Sequence, residues 1–271
     1  MRLLPSRVIF SIRQARKFVG EHSSIEWTDA SWNPVTGCTK ISPGCRHCYA
    51  ETFAERFRGV VNHPYEQGFD LRLWPGRLEL PLTWRKPKRI FVNSMSDLYH
   101  IDVPVEFIKG VFATMNQANW HTFQILTKRA ERLLELDAQL PWAPNIWQGV
   151  SVENADFVYR IDLLRQTSAK IKFLSVEPLL GPVPRLNLEG INLVIVGGES
   201  GNKSRPIEKD WVIDLRDQCQ AAGVCFFFKQ WGGRNKKASG RELDGRTWDE
   251  LPLIEDRVPA LAIKRQPRTN A

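Results

Sequence analysis

The sequence lacks a long apolar run and a cysteine pattern suited to disulfides. No stretch approaches the roughly 18 apolar residues of a membrane-spanning helix, so we expect no membrane segment. Five cysteines is an odd number, and three of them are clustered in a chain of 271 residues. This usage argues against a disulfide framework and favours a metal or redox site in the reducing cytoplasm.

Acidic residues are missing from residues 1–20, which also lack the apolar block of a secretory signal. We expect residues 1–23 to form a weakly ordered basic arm, or to reflect an upstream start codon, and residues 254–271 to form a weakly ordered tail. Residues 24–253 between them are long enough for one barrel-sized α/β domain.

Basic residues outnumber acidic ones, 38 to 30, which gives a net charge of +8 and a pI near 9.4. This balance favours a polyanionic partner, with DNA, RNA or a nucleotide as the leading substrate class. Part of the excess lies in the two tails. A further basic run, WRKPKR at residues 84–89, precedes the second predicted strand.

Short apolar segments alternate with amphipathic ones. They predict strands at residues 90–92, 122–126, 146–152, 171–176, 193–196 and 224–228, with a weaker first strand at 32–35. Helices are predicted at residues 105–119, 130–136, 156–167 and 209–222. Six or seven βα units predict a single-domain parallel α/β barrel, partial or full, with a doubly wound sheet as the alternative. Residues 59–88, without clear periodicity, predict a long ordered insertion after the first helix.

Polar side chains follow nearly every predicted strand, at the edge where α/β folds of this kind place their active sites. The sequence Ser-Val-Glu ends two strands, at residues 151–153 and 175–177. We expect its two carboxylates to face the barrel mouth or to pair with Lys128 and Lys229. The candidate cofactor-binding residues at these ends are Ser94, Ser96, Asp97, Lys128, Glu153, Glu177, Gly198 and Glu199.

Each candidate also has a structural interpretation. Asp97 suits a helix cap or turn equally well, and Lys128 suits a solvated helix start. Gly198 permits close approach of a ligand, but a Gly-Gly pair also simply turns a chain. No side chain is singled out as catalytic.

The three clustered cysteines follow the spacing C-x6-C-x2-C, at Cys38, Cys45 and Cys48. Thiolates select zinc, copper(I) or iron–sulfur clusters. Zinc would need a fourth ligand from His47, Cys219 or Cys225, and the last two are better explained as buried apolar residues. A [4Fe–4S] cluster needs only three and leaves one iron open. The residues favour the cluster, with zinc and unligated thiols as alternatives.

Several ordered blocks resemble the phage-associated three-Cys-motif family, which is related to the radical S-adenosylmethionine superfamily. The similarity covers roughly residues 24–250. The blocks are SIEWTDASWNPVTGCTKISPGCRHCYAE (24–51), VNSMSDLYH (92–100), LTKR (126–129), GVSVEN (149–154), SVEPLLG (175–181), VIVGGESG (194–201) and FFKQWGG (227–233).

The resemblance implies a radical-SAM-like barrel with a [4Fe–4S] cluster on Cys38, Cys45 and Cys48. It implies an enzyme in which S-adenosylmethionine is cleaved reductively, with electrons from an external donor, to start radical chemistry. The motif departs from the superfamily's usual spacing of three and then two residues. A Gly-Gly-Glu segment, usual after the second strand, occurs here at residues 197–199.

Two other functions remain open at this stage. One is an iron–sulfur protein of DNA or RNA repair, or a redox protein, that does not use S-adenosylmethionine. The other is a non-enzymatic, zinc-stabilised nucleic-acid-binding protein. Iron and sulfide content separates the second from both iron–sulfur hypotheses.

Overall fold

The computed structural model describes residues 23–253, without the side chains of residues 236 and 237. The expected tail at 254–271, and all of the expected basic arm except its last residue, lie outside the described residues. Over the described part of the chain, no helix has the length and apolar character needed to cross a membrane.

Seven parallel strands form a curled half-barrel sheet, flanked by helices. The strands are β1 (Ala30–Trp32), β2 (Val35–Thr36), β3 (Arg72–Leu73), β4 (Arg89–Val92), β5 (Thr122–Thr127), β6 (Ile146–Ser151), β7 (Ile171–Val176), β8 (Leu193–Gly197) and β9 (Cys225–Gln230). The main sheet has the order β1-β4-β5-β6-β7-β8-β9, and β2 and β3 form a separate antiparallel pair. Strands that are parallel and neighbouring in sequence bring all their carboxyl ends to one edge.

The helices are α1 (Tyr49–Ala54), α2 (Val105–Gln117), α3 (Ala130–Leu136), α4 (Tyr159–Arg165), α5 (Lys209–Ala222) and α6 (Lys236–Ser239). Gly223 ends α5 in the left-handed conformation, at φ 65°, as a C-terminal cap. A 3₁₀ turn, Pro43–Cys45, precedes α1 and carries the second clustered cysteine.

Side chains alternate between the two faces of the sheet, as the pleat requires. In β8, Val194 and Val196 belong to the large core beneath the helices, whereas Ile195 belongs to a smaller apolar cluster. That smaller cluster fills the concave face and includes Trp27 and Phe173. Because both faces are buried, the strands read as continuous apolar runs.

The partial barrel predicted from the alternating pattern is confirmed, and the doubly wound alternative is wrong. The weak first strand was misplaced: β1 ends at Trp32, before Asn33 and Pro34, because proline lacks the N–H needed to continue the ladder. The predicted helix at 156–167 is split into a 3₁₀ turn, Ala155–Phe157, and α4. The insertion at 59–88 is ordered and contains β3 and two 3₁₀ turns, Pro75–Arg77 and Leu80–Thr83.

Candidate cofactor and active site

A cavity of about 450 Å³ opens at the carboxyl edge of the half-barrel. Apolar side chains of the concave face line it, including Trp27, Phe91 and Leu126. Polar residues at the strand ends line it as well, together with the loop that carries the clustered cysteines. The cavity therefore combines an apolar, partly aromatic lining with charged side chains and thiols at its edge, which is typical of a small-molecule site.

Cys38, Cys45 and Cys48 all line this cavity, and all three are free and partly exposed. Gly37 turns the chain towards it with φ +83°, and a Cβ there would lie 2.2 Å from the backbone oxygen of Asp70. The turn after β2 therefore requires glycine. Cys38, Cys45 and Cys48 thus lie around one cavity, and their assignment as cluster ligands stays a prediction.

The remaining candidates for a fourth ligand are elsewhere or already engaged. Cys219 is a residue of α5 whose side chain is buried in the core, and Cys225 does not line the cavity. The His47 ring nitrogen Nδ1 lies 3.1 Å from a carboxylate oxygen of Glu199. Among residues 23–253, no three His, Cys, Asp or Glu side chains are arranged to hold a single metal ion. Three cysteines line the cavity, and three is the number of ligands that a [4Fe–4S] cluster needs from the chain.

The surroundings of the thiols set their charge. Burial raises the pKa of Cys38 to about 11, and Asp97 adds to the effect, while Arg129 opposes it from 3.9 Å away. Burial also raises the pKa of Cys48, against backbone N–H groups at the start of α1. These two thiols are protonated at neutral pH without a metal, so binding as thiolates would release protons.

Thr39, beside Cys38, is fixed by two side chains from the barrel. Arg129 donates from Nη2 to the Thr39 hydroxyl at 2.9 Å and to its carbonyl at 3.1 Å. A ring nitrogen of His100 lies 2.9 Å from the same hydroxyl. At the other end of the loop, the Tyr49 hydroxyl donates to the carbonyl of Ser94. Both ends of the loop that carries the three cysteines (residues 38–48, the cysteine loop) are therefore attached to residues at the carboxyl ends of strands.

Glu153 is fully buried and does not line the cavity. Its carboxylate accepts from Arg160 at 3.0 Å and from the hydroxyl of Ser42 at 2.6 Å, and it lies 3.2 Å from the Lys128 ammonium. The pairing of Lys128 with Glu153 is one of the two arrangements expected from the sequence. This carboxylate contacts the cysteine loop rather than open space.

Glu199 lines the cavity, but its carboxylate is occupied by protein groups. Arg205 donates from Nε and from its backbone N–H, each at 2.9 Å, and His47 lies on the same oxygen. Although burial raises the pKa of Glu199, the hydrogen bonds from Arg205 and His47 hold it to about 2. Arg205 also donates to the carbonyl of Pro43 at 3.0 Å. Glu199 is thus an ionised anchor for the cysteine loop.

Glu177 and Lys229 form the second ion pair expected from the sequence, at 2.8 Å, and both line the cavity. The hydroxyl of Ser175 donates to the other carboxylate oxygen at 3.1 Å. Their side chains keep 12% and 19% of their surface exposed. This pair, at the ends of β7 and β9, offers a charged donor and acceptor to a bound molecule.

The other candidates at the strand exits also line the cavity, and most of them contact backbone. Asp97 accepts from the hydroxyl of Thr127 at 2.8 Å and from the backbone N–H of Lys128 at 3.0 Å. Ser96 donates to the carbonyl of Val35 at 2.8 Å. A Cβ on Gly198 would lie 2.2 Å from the backbone oxygen of Trp231, so the close approach that this glycine permits is to the protein's own chain.

Sequence reasoning missed the arginines that hold the cysteine loop. Arg129 directly follows Lys128 at the end of β5, and only Lys128 was selected there. Arg160 and Arg205 lie 7 and 6 residues after the glutamates that they pair with. Such a spacing carries no periodic signal, because each pair closes a loop rather than a helix face.

The basic run at 84–89 leads into β4, of which Arg89 is the first residue. The run therefore lies at the amino edge of the sheet, opposite the cavity. Arg89 donates from Nη2 to the carboxylate of Asp29 at 3.3 Å. Two exposed cations, Lys40 and Arg46, lie on the cysteine loop. Lys40 lines the cavity, and its ammonium lies 2.7 Å from a carboxylate oxygen of Glu51.

Comparisons with known proteins identify a family and a fold. The profile of a family described as "Protein of unknown function (DUF5131)" matches residues 22–252. No functionally curated protein matches the sequence significantly.

Among solved structures, a single-residue variant of spore photoproduct lyase is similar at 11% identity, with a TM-score of 0.50, over 85% of this chain and 87% of that one. A second variant has 13% identity and a TM-score of 0.48, over 84% and 87%. A variant with bound AdoMet and dinucleoside spore photoproduct has 12% identity and a TM-score of 0.44, over 80% and 71%. At these identities the first match establishes the fold alone, and the other two add no argument.

Proposed function

The chain belongs to the DUF5131 family, whose description assigns no activity, and we propose that it is a radical-SAM-like enzyme with a [4Fe–4S] cluster on Cys38, Cys45 and Cys48. The observation that carries the proposal is the position of the three thiols. They are partly exposed and line one cavity at the carboxyl edge of a half-barrel. That edge is where α/β folds of this kind bind their ligands.

The cluster, when bound, would supply an open iron for reductive cleavage of S-adenosylmethionine, with an external protein or reductant as electron donor. The chain's own residues would hold and shield it. The thiolates of Cys38, Cys45 and Cys48 would bind it, and Arg129 and Glu199 fix the loop that carries them. Trp27 and Phe91 exclude water from the concave side, which protects a reactive species from side reactions.

Glu177 and Lys229 are the proposed polar contacts of a bound molecule. Their charges are opposite and partly exposed inside a largely apolar cavity, where such groups orient a ligand. Ser94 and Ser96 line the same cavity near α1 and are proposed as contacts of S-adenosylmethionine. Asp97, Lys128, Glu153, Gly198 and Glu199 are proposed to act by positioning the strand exits and the cysteine loop.

A nucleic acid or nucleotide is the proposed substrate class. The net charge of +8 favours a polyanion, and the aromatic wall of the cavity suits a base. The solved structure that shares the fold is, by its name, a lyase of spore photoproduct. The charge and the cavity of this chain carry the proposal, and the name agrees with it.

The direct test is anaerobic purification with iron and sulfide quantification. The proposal expects brown protein with about four irons and matching sulfide per chain. One zinc without sulfide would favour the zinc-stabilised nucleic-acid-binding alternative. The choice between a cluster that uses S-adenosylmethionine and one that does not needs a second measurement, the effect of S-adenosylmethionine on the reduced protein.

A further inference from the structure

The turn that carries Cys45 rests on a buried carboxylate. Ser42 precedes the 3₁₀ turn Pro43–Cys45, and its hydroxyl donates to Glu153 Oε1 at 2.6 Å. The backbone N–H of Cys45 donates to the carbonyl of Ser42 at 3.0 Å. Whatever fixes Ser42 therefore also fixes the position of Cys45.

Gly44, within the turn, packs closely against the same carboxylate. A Cβ built on Gly44 would lie 2.6 Å from both Cγ and Oε1 of Glu153. Gly44 does not have a positive φ, so its backbone would accept alanine. The three atoms nearest to the added Cβ all belong to Glu153, so the turn packs directly against this side chain.

The Glu153 side chain is held in place by its own partners, so it cannot easily move away from the turn. Its side chain is fully buried, and Arg160, which is 2% exposed, donates to its second oxygen at 3.0 Å. The same Arg160 nitrogen donates to the carbonyl of Ser151 at 2.8 Å, so the guanidinium is fixed to the end of β6. Lys128 approaches from β5 at 3.2 Å. The carboxylate is held between two cations and presents its remaining lone pairs to the loop.

We propose that Glu153 is the positioning residue for Cys45: it holds the turn at residues 42–45 so that this thiol faces the cluster site with Cys38 and Cys48. The inference rests on the proposed function, because its consequence concerns cluster binding. A loop whose conformation is already fixed before the cluster binds loses less conformational freedom on binding. The contact itself exists without any metal and can be tested without one.

The test uses the full-length chain and four variants: Gly44→Ala, Glu153→Ala, the double variant, and Gly181→Ala as a control. A Cβ on Gly181 would meet only Asn154 Cβ, at 3.8 Å. In metal-free protein, the alkylation rate of Cys45 by iodoacetamide is followed by peptide mass spectrometry, with Cys225 as the internal reference. Circular dichroism and the unfolding midpoint check that each variant is folded.

We expect Gly44→Ala and Glu153→Ala each to speed alkylation of Cys45 by about tenfold or more, which corresponds to losing a hydrogen bond to a charged group. The double variant should be no faster than the faster single variant, because both changes remove one contact. Gly181→Ala should match the wild type. Gly44→Ala is the decisive variant if Glu153→Ala fails to fold, since it leaves the buried charges intact.

The second measurement is the iron and sulfide retained after anaerobic reconstitution, with the electron paramagnetic resonance spectrum of the reduced protein. We expect Gly44→Ala to retain less than about half of the wild-type iron and to broaden the spectrum, since a displaced thiolate weakens its metal bond. Unchanged alkylation and unchanged iron in Gly44→Ala would overturn the positioning role while leaving the cluster itself in place. If Gly44→Ala speeds the alkylation of Cys45 but the wild type itself binds no iron, the proposed function is overturned and the anchored turn stands.

Discussion

At the scale of single residues, two carboxylates at the ends of strands hold other parts of the chain rather than face open space. Glu153 and Glu199 looked like ligand-binding carboxylates at strand ends, and each is instead paired with an arginine and with the cysteine loop. Sequence position placed them at the correct edge of the sheet. It could not show their partners, because those contacts close over long separations in the chain.

The first residue-scale prediction concerns the thiols. Replacing Cys38, Cys45 or Cys48 with alanine should each abolish most of the bound iron, since each thiolate is proposed to ligate the cluster. Cys225→Ala is the control, because this cysteine does not line the cavity. Iron content per folded protein is the measurement. Equal losses in all four variants would contradict the three-ligand assignment.

The second concerns the buried ion pair. Arg160→Met should lower the free energy of unfolding by about 3 kcal/mol, because it leaves a buried carboxylate with fewer partners. Lys109→Met breaks the exposed pair with Glu106, where the nitrogen and oxygen are 2.8 Å apart, and should change it by less than about 0.5 kcal/mol. Urea unfolding measures both. Equal changes in the free energy of unfolding would show that the burial of Glu153 does not make the loss of its partner more costly.

At the scale of elements, the strands and helices were largely predictable because their apolar periodicities are strong. The strand at Ile171–Val176 and the helices Ala130–Leu136 and Lys209–Ala222 have the bounds that the pattern predicts. The bounds of the first strand were not predictable, because three residues give too short a pattern and Pro34 lies just beyond the strand. The anchoring of the cysteine loop was also beyond prediction, since it depends on tertiary contacts such as that between Gly44 and Glu153.

Two glycines in regular elements give opposite predictions. Gly149 lies in β6, and a Cβ there would be 2.4 Å from the ring of Phe173 on β7. Gly149→Ala should therefore destabilise the protein by about 1–3 kcal/mol through overpacking. Gly110 lies inside α2 with its nearest neighbour at 3.8 Å, and Gly110→Ala should stabilise it by about 0.5–1 kcal/mol. Unfolding midpoints that move in the same direction would contradict this account of the sheet packing.

At the scale of the whole molecule, exposed basic residues lie at both edges of the sheet, whereas the cavity described above opens at the carboxyl edge. The basic run at 84–89 belongs to the amino edge, so its charge can attract a polyanion without guiding it to the cavity. Lys40 and Arg46 belong to the cysteine loop at the carboxyl edge. The position of a cation in the fold, more than the net charge of the chain, decides whether it can contact a substrate in the cavity.

Nucleic-acid binding should follow this division. Replacing Lys40 and Arg46 with glutamine should weaken binding and reduce the slope of log affinity against log salt by about 1.4–1.8, as expected for two lost phosphate contacts. Replacing Arg85 and Lys86 with glutamine is the matched control and should leave that slope nearly unchanged. Fluorescence anisotropy with single- and double-stranded oligonucleotides measures it. The opposite pattern would place the binding surface at the amino edge, away from the cavity.

The central claim is that the cavity presents an open iron to S-adenosylmethionine, and one measurement tests it most directly. Anaerobic, fully loaded protein is reduced, its electron paramagnetic resonance spectrum is recorded before and after S-adenosylmethionine is added, and 5′-deoxyadenosine is then quantified. We predict a changed spectrum and a slow release of 5′-deoxyadenosine even without substrate, both lost in Cys45→Ala. An intact cluster with an unchanged spectrum and no product would contradict the claim and leave an iron–sulfur protein that does not use this cofactor.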